Sequence, residues 1–206
     1  MNGTAHADSG AALLLALLTT LMLAALGGGL IALGDTEAAL AYNHRAAGEL
    51  RYAAEAAVER ALAETRPAIS WTDVLSGAVR SPMLPTTTQP LTPWGKTIDL
   101  TALTAEVQAE SNAVFAVGMN TPSWRLFSAG AFDMAAGGAA GIPQAYLVAW
   151  VADDPSETDN NPASDTNDIV FVRGLALNVL GMRVGVHVAA QRLGGPMRIL
   201  AWRAVP

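Results

Sequence analysis

A chain of 206 residues has room for one domain and an appendage, and too little for a multidomain machine. Hydrophobic residues make up 51% and charged ones 15%, against about 25% charged in an average soluble protein, which disfavours intrinsic disorder. The net charge of -6 would repel a phosphate backbone, excluding nucleic acid as a partner, and the absence of cysteine excludes disulfides, thiolate metal sites and cysteine nucleophiles.

Residues 11–33 are uncharged and rich in leucine and alanine. As a helix at 1.5 Å per residue they would span about 34 Å, the thickness of a bilayer core, so one transmembrane segment is expected. A secretory leader has an apolar run of about 7 to 15 residues behind a basic region. Here nothing basic precedes the run, and the helical pattern continues past it. Residues 35–66 contain no proline and place Arg45 with Glu49, Arg51 with Glu55, and Arg60 with Glu64 at i,i+4 spacing. Leu40, Ala47, Leu50, Ala54, Val58 and Ala61 form an apolar stripe. The two stretches read as one rod of about 84 Å, apolar all round and then on one side, ended by Pro67. Gly27, Gly28 and Gly29, within the apolar part, admit two readings: small residues at a helix crossing, or a point where the helix bends or melts.

Beyond the rod, residues 70–93 read as irregular, because Ser81-Pro82, Pro85, the threonines 86–88, Pro90 and Pro93 interrupt regular hydrogen bonding. A short helix is expected over 99–111, with Thr101, Leu103, Val107 and Glu110 as its signals, and a short strand over 124–127. Residues 129–141, mostly alanine and glycine, read as a flexible loop. Residues 145–152 are apolar on both faces, as in a central strand covered twice. Residues 169–179 follow, broken at Gly174, and 182–191 alternate, with Met182, Val184, Val186, Val188 and Ala190 on one face. A turn at 193–196 leads into 198–205. Four strands with mostly short connections predict an antiparallel meander whose apolar face the stripe of the rod would cover.

One connection is long. Residues 153–168 hold six acids (Asp153, Asp154, Glu157, Asp159, Asp165 and Asp168), three asparagines and no base. Oxygen ligands at this density suit a hard cation such as calcium, and these six residues are the candidate metal ligands. Acidic loops are also often simply solvated. No EF-hand pattern is met, since Ala163 follows Asp159 and Asn161 where a third ligand would stand and the glycine is missing. Other chemistry is poorly represented: His44 and His187 have no carboxylate or serine at a telling spacing, and no nucleophile-elbow, zinc-protease, P-loop or dinucleotide motif occurs. No enzymatic activity is therefore expected. Trp71, Trp94, Trp124, Trp150 and Trp202 are spread in the manner of core residues.

The stretch Ser9-Gly10-Ala11-Ala12-Leu13-Leu14-Leu15-Ala16-Leu17-Leu18, then Asp35-Thr36-Glu37, then 52–62 (Tyr52-Ala53-Ala54-Glu55 through Leu62), resembles the N-terminal region of PilX-type minor pilins. The resemblance covers about the first 65 residues and, more loosely, the tail. It implies a leader 1–10, cleavage by prepilin peptidase between Gly10 and Ala11, and methylation of the new N-terminus. It further implies a membrane and filament-core helix over 11–33, an amphipathic continuation over 34–66 and a head over 67–206. The implied fold is α+β and pilin-like, a long N-terminal helix packed on a C-terminal antiparallel β-sheet. Its implied role is that of a minor subunit that initiates or caps a type IV pilus or pilus-like filament and takes part in cell adhesion. Other pilins and minor pilins, prepilin peptidase and inner-membrane lipid would be its partners, with the head in the periplasm before assembly. The alternatives are a tip pseudopilin of type II secretion, a single-pass anchored surface binding module, and a membrane-anchored enzyme.

Two departures from the family pattern stand out. The leader carries only His6 and Asp8, so the positive-inside signal is missing. Leu15 stands at the fifth place after the cut, where major pilins have a glutamate thought to pair with a neighbour's N-terminal amine. A carboxylate in hydrocarbon is costly unless paired, and PilX-type minor pilins and the tip pseudopilin commonly lack it, which fits a tip or initiating subunit. Some pilin-like subunits bind calcium in a loop of the C-terminal sheet, so the resemblance also favours calcium at the acidic loop.

Overall fold

Leucine, alanine and the absence of proline carry helix α1 (Ala5–Thr65) through 61 residues without a break. The computed structural model describes residues 5–115, 120–132, 145–192, 194 and 196–205. The remaining elements are α2 (Trp71–Leu75), α3 (Leu100–Val114), β1 (Arg125–Phe132), β2 (Ala145–Asp153), β3 (Ile169–Leu177), β4 (Arg183–Arg192) and β5 (Met197–Val205). The fold is α+β, as expected. Contacts divide the chain into two compact units, Met1–Ala46 and Ala47–Pro206.

The described residues of the first unit are helical. The apolar stretch of α1 is long enough to cross a membrane, and none of it is buried. The helix passes through Gly27, Gly28 and Gly29 uninterrupted. Thr19 and Thr20 donate their hydroxyls to the carbonyls of Leu15 and Ala16, at 2.7 and 3.0 Å. The two polar side chains of this span are thus satisfied inside the helix, as an apolar surrounding requires. Leu40, expected on the buried stripe, is exposed.

In the second unit five strands form one antiparallel sheet in the order β1-β2-β3-β4-β5. One face carries Leu147, Ala149, Val151, Val170, Val172, Val186 and Val188, which pack with Leu50, Ala53, Ala54, Ala57, Val58, Ala61 and Leu62 of α1 and with Trp71 and Val74 of α2. The other face carries Tyr146, Val148, Trp150 and Leu175, packed with Leu100, Leu103 and Val107 of α3 and with Trp124. Every residue of β2 is buried, as a strand apolar on both faces predicts. Asp99 caps α3, accepting from the Ala102 N–H at 2.9 Å. Trp150 donates to Thr104 Oγ1 at 2.9 Å, and Arg183 pairs with Glu106 at 2.8 Å, fastening α3 to the sheet.

Several expectations require correction. The sheet has a fifth strand, because the short strand at 124–127 runs on to Phe132. The supposed loop 129–141 is therefore strand in its first four residues, and from 133 onwards it lies outside the described residues. Gly174 does not break β3: the strand continues through it, and a Cβ there would stand 2.5 Å from Ala54 O and 2.8 Å from Val58 Cγ2. The glycine marks a close approach of helix to sheet. The strand expected to reach 179 ends at Leu177, where Asn178 Oδ1 accepts from the N–H groups of Leu180 and Met182, both at 3.0 Å, and Gly181 takes φ +80. The irregular stretch 70–93 contains α2, started by Ser70 as N-cap. The turn at 193–196 lies partly outside the described residues. Strand β5 is exposed along most of its length, with Ile199, Leu200 and Trp202 open on an edge of the sheet. Arg51 of α1 stacks on Trp202, 4.8 Å from the ring centre.

Candidate functional site

Antiparallel pairing places Asp153, at the end of β2, opposite Val170 near the start of β3. The two ends of the acidic connection are thereby brought together, and the loop folds back on itself. Asp153, Glu157 and Asp165 each offer a carboxylate oxygen, and these atoms lie within 4.8 Å of one another. Asp153 is 0% and Glu157 4% exposed, so this part of the loop is not simply solvated.

Glu157 and Asp165 each use one oxygen to hold the local backbone, and Asp153 uses one to hold a side chain. Glu157 Oε1 accepts from the N–H groups of Thr166 and Asn167 at 2.6 and 2.9 Å. Asp165 Oδ1 accepts from the Ile169 N–H at 3.1 Å. Asp153 Oδ2 accepts from the amide of Asn120, which also donates to Asp154 O at 3.2 Å. Asp153 Oδ1, Glu157 Oε2 and Asn120 Oδ1 are buried with no hydrogen-bond partner among the described residues. None of the ion pairs among the described residues reaches this cluster.

The electrostatics follow from that arrangement. Burial pushes Asp153 up to about 7, against the opposing pull of the Asn120 hydrogen bond, and repulsion from Glu157 adds to the rise. Burial, then Glu157 and Asp168, push Asp165 up to about 6. Buried carboxylate oxygens without a counter-charge are a donor set for protons or for a hard cation.

The other three expected ligands do not join the cluster. Asp154 is engaged by the Ser156 hydroxyl and N–H and by Asn167 Nδ2, the last two at 2.9 and 2.8 Å. Asp159 is exposed and turns its oxygen to the Asn161 N–H at 3.1 Å. Asp168 takes a positive φ of 63, and its carbonyl accepts from the Trp71 indole at 3.2 Å and the Arg192 N–H at 2.9 Å. The loop is thus pinned to α2, where Thr72 Oγ1 also accepts from the Asp165 N–H at 3.1 Å. Arg192 lies over Trp71 at 4.4 Å and donates to Ala68 O and Thr65 O at 2.7 and 3.3 Å. It supplies a positive charge to the end of α1, whose own last turn has no basic residue.

Sequence reading missed Asn120, Trp71 and Arg192 as parts of this region. Trp71 alone had a local signal: Ser70 followed by Asp73 is a helix-start pattern that places Trp71 in the first turn. Asn120 lies 33 residues from Asp153, and nothing in its neighbours announces the contact.

On the opposite face, Trp150, Arg173, His187 and Arg203 stand in register across β2 to β5. Arg173 is buried and pairs with Glu110 of α3 at 2.6 Å. His187 packs edge-on against Phe171 and Trp124, at 4.7 and 5.4 Å between ring centres. Burial, then Arg203 and Arg173, lower it to about 4. Among the described residues no histidine joins the carboxylate cluster. At the other end of the chain, Gly10, Ala11 and Leu15 lie on the exposed surface of α1, and a Cβ at Gly27, Gly28 or Gly29 would meet nothing within 4 Å. Comparison of the chain with protein-family models, curated proteins and solved structures gives no match.

Proposed function

We propose that this chain is a minor-pilin-like structural subunit, held in the inner membrane by the apolar part of α1 and assembled through it at the start or tip of a type IV pilus or related filament. The observation that carries the reading is α1 itself. One unbroken helix has an apolar segment with no intramolecular cover, and its later turns form the packed face of an α+β head. Such a helix suits a subunit that exchanges lipid for neighbouring helices, because its apolar surface is complete in either surrounding. Leu15, in place of a carboxylate, lets it enter lipid without a charge partner. The exposed apolar edge at Ile199, Leu200 and Trp202 offers the head a contact surface for neighbouring subunits.

The test is the mature N-terminus. With the full chain produced alongside a prepilin peptidase, mass spectrometry should find an N-methylated Ala11. An intact Met1 would sink the pilin reading and favour a single-pass anchored binding module.

A further inference from the structure

We propose that Asp153, Glu157 and Asp165, completed by the carboxamide of Asn120, bind a hard divalent cation, calcium by the character of the donors. The inference is independent of the filament reading, because it rests wholly on the β2–β3 connection and its neighbours. Its first support is geometric. Oxygens that share a calcium ion at 2.3 to 2.6 Å stand at most about 5 Å apart, and the three carboxylates offer oxygens within 4.8 Å of one another.

The second support comes from a neutral side chain outside the acidic loop. Asn120 is 0% exposed, is fixed against Asp153 and the Asp154 carbonyl through its Nδ2, and leaves Oδ1 buried without a partner among the described residues. Asp153 Oδ1 and Glu157 Oε2 are in the same condition. Buried polar atoms are usually paired, and here three acceptor oxygens without a partner among the described residues belong to side chains of one cluster, Asn120 being tied to it by its hydrogen bond to Asp153. Calcium takes this mixture of carboxylate and amide oxygens and accepts further carbonyls or water to fill its shell.

The site is also prepared for its ligand. The backbone hydrogen bonds to Glu157 Oε1 and Asp165 Oδ1 orient both carboxylates before any ion arrives. Occupancy would join the end of β2, the loop and the segment bearing Asn120, with Thr72 of α2 held one hydrogen bond away at Asp165.

The experiment uses the full chain in detergent micelles at neutral pH, stripped with a chelator. Calcium at a hundred times its Kd should raise the melting temperature by about 5 to 10 °C, and magnesium by less. Terbium should show luminescence sensitised by tryptophan, with Trp71 beside the loop as the donor, and calcium should quench it by displacement. Glu157→Gln keeps the acceptor for Thr166 and Asn167 but removes one charge. It should melt no lower than the parent in chelator and lose the calcium shift, a pattern that a purely structural role would not give. Asp159→Asn, in the exposed part of the loop, should keep the shift. An unchanged melting temperature with calcium and no terbium signal would overturn the proposal. A full shift in Glu157→Gln, or a lost one in Asp159→Asn, would overturn the assignment of ligands, and an equal or larger effect of magnesium would overturn that of calcium.

Discussion

His187 shows how a residue with no chemical motif acquires a measurable property from its neighbours. Placed in register between Arg173 and Arg203 and against two aromatic rings, it is held neutral, with its pKa lowered from 6.5 to about 4 by burial and then by the two arginines. The unfolded chain therefore takes up this proton first as pH falls. The stabilisation from His187 is complete above pH 6.5 and is lost as pH falls towards 4. Between those values the melting temperature of His187→Gln should decline less steeply than that of the parent; parallel slopes would contradict the assignment. The alternation of β4 was legible in the sequence, but the partners of its histidine were not, because cross-strand neighbours depend on register. The acidic cluster has the same character. Composition pointed to all six acids between 153 and 168, whereas folding brings three of them together and adds Asn120 from elsewhere.

At the level of elements, periodicity did well wherever one face is buried over several turns or strand repeats. The rod, α3 and the last four strands were legible on that ground, and the extension of β1 was not, because Ala129, Gly130 and Ala131 carry almost no strand propensity. Gly174 was legible only as an interruption, although an isolated strand glycine equally marks a close backbone approach. Alanines 53, 54, 57 and 61 of α1 share one buried cluster with Ala149 and Ala176 of the sheet, and Ala54 and Ala57 lie against Gly174, so small residues on both sides let the helix sit near the strands. Gly174→Ala would press a methyl group against the backbone carbonyl of Ala54, which cannot rotate away, and should cost about 1 to 3 kcal/mol in urea unfolding. Gly48→Ala, on a helical site where a Cβ meets nothing within 4 Å, should instead stabilise by up to about 1 kcal/mol. Equal effects at the two sites would show that the helix does not pack where described.

For the whole molecule, the decisive division is between a segment with no interior and one with two. Both hydrophobic clusters draw their members from residues 50–190, inside the second compact unit, whereas the exposed leucines of 11–33 belong to the first. A fragment spanning 47–206 should accordingly remain soluble without detergent and unfold cooperatively, as followed by circular dichroism. A broad, non-cooperative melt would mean that the head depends on the preceding helix. The uncharged run 11–33 was legible from composition alone, but the boundary between the units, at 46/47 within the stretch read as amphipathic, was not, because it depends on where the helix meets the sheet. Nor was the free edge at β5, because exposure depends on the strand coming last in the sheet. That edge carries Arg198 and Arg203 and no acid. Two copies laid strand to strand would set guanidinium against guanidinium, while an acidic strand of another chain would meet no such repulsion. In any register that opposes these arginines, self-pairing along the edge would thus carry a charge repulsion that pairing with an acidic strand would not.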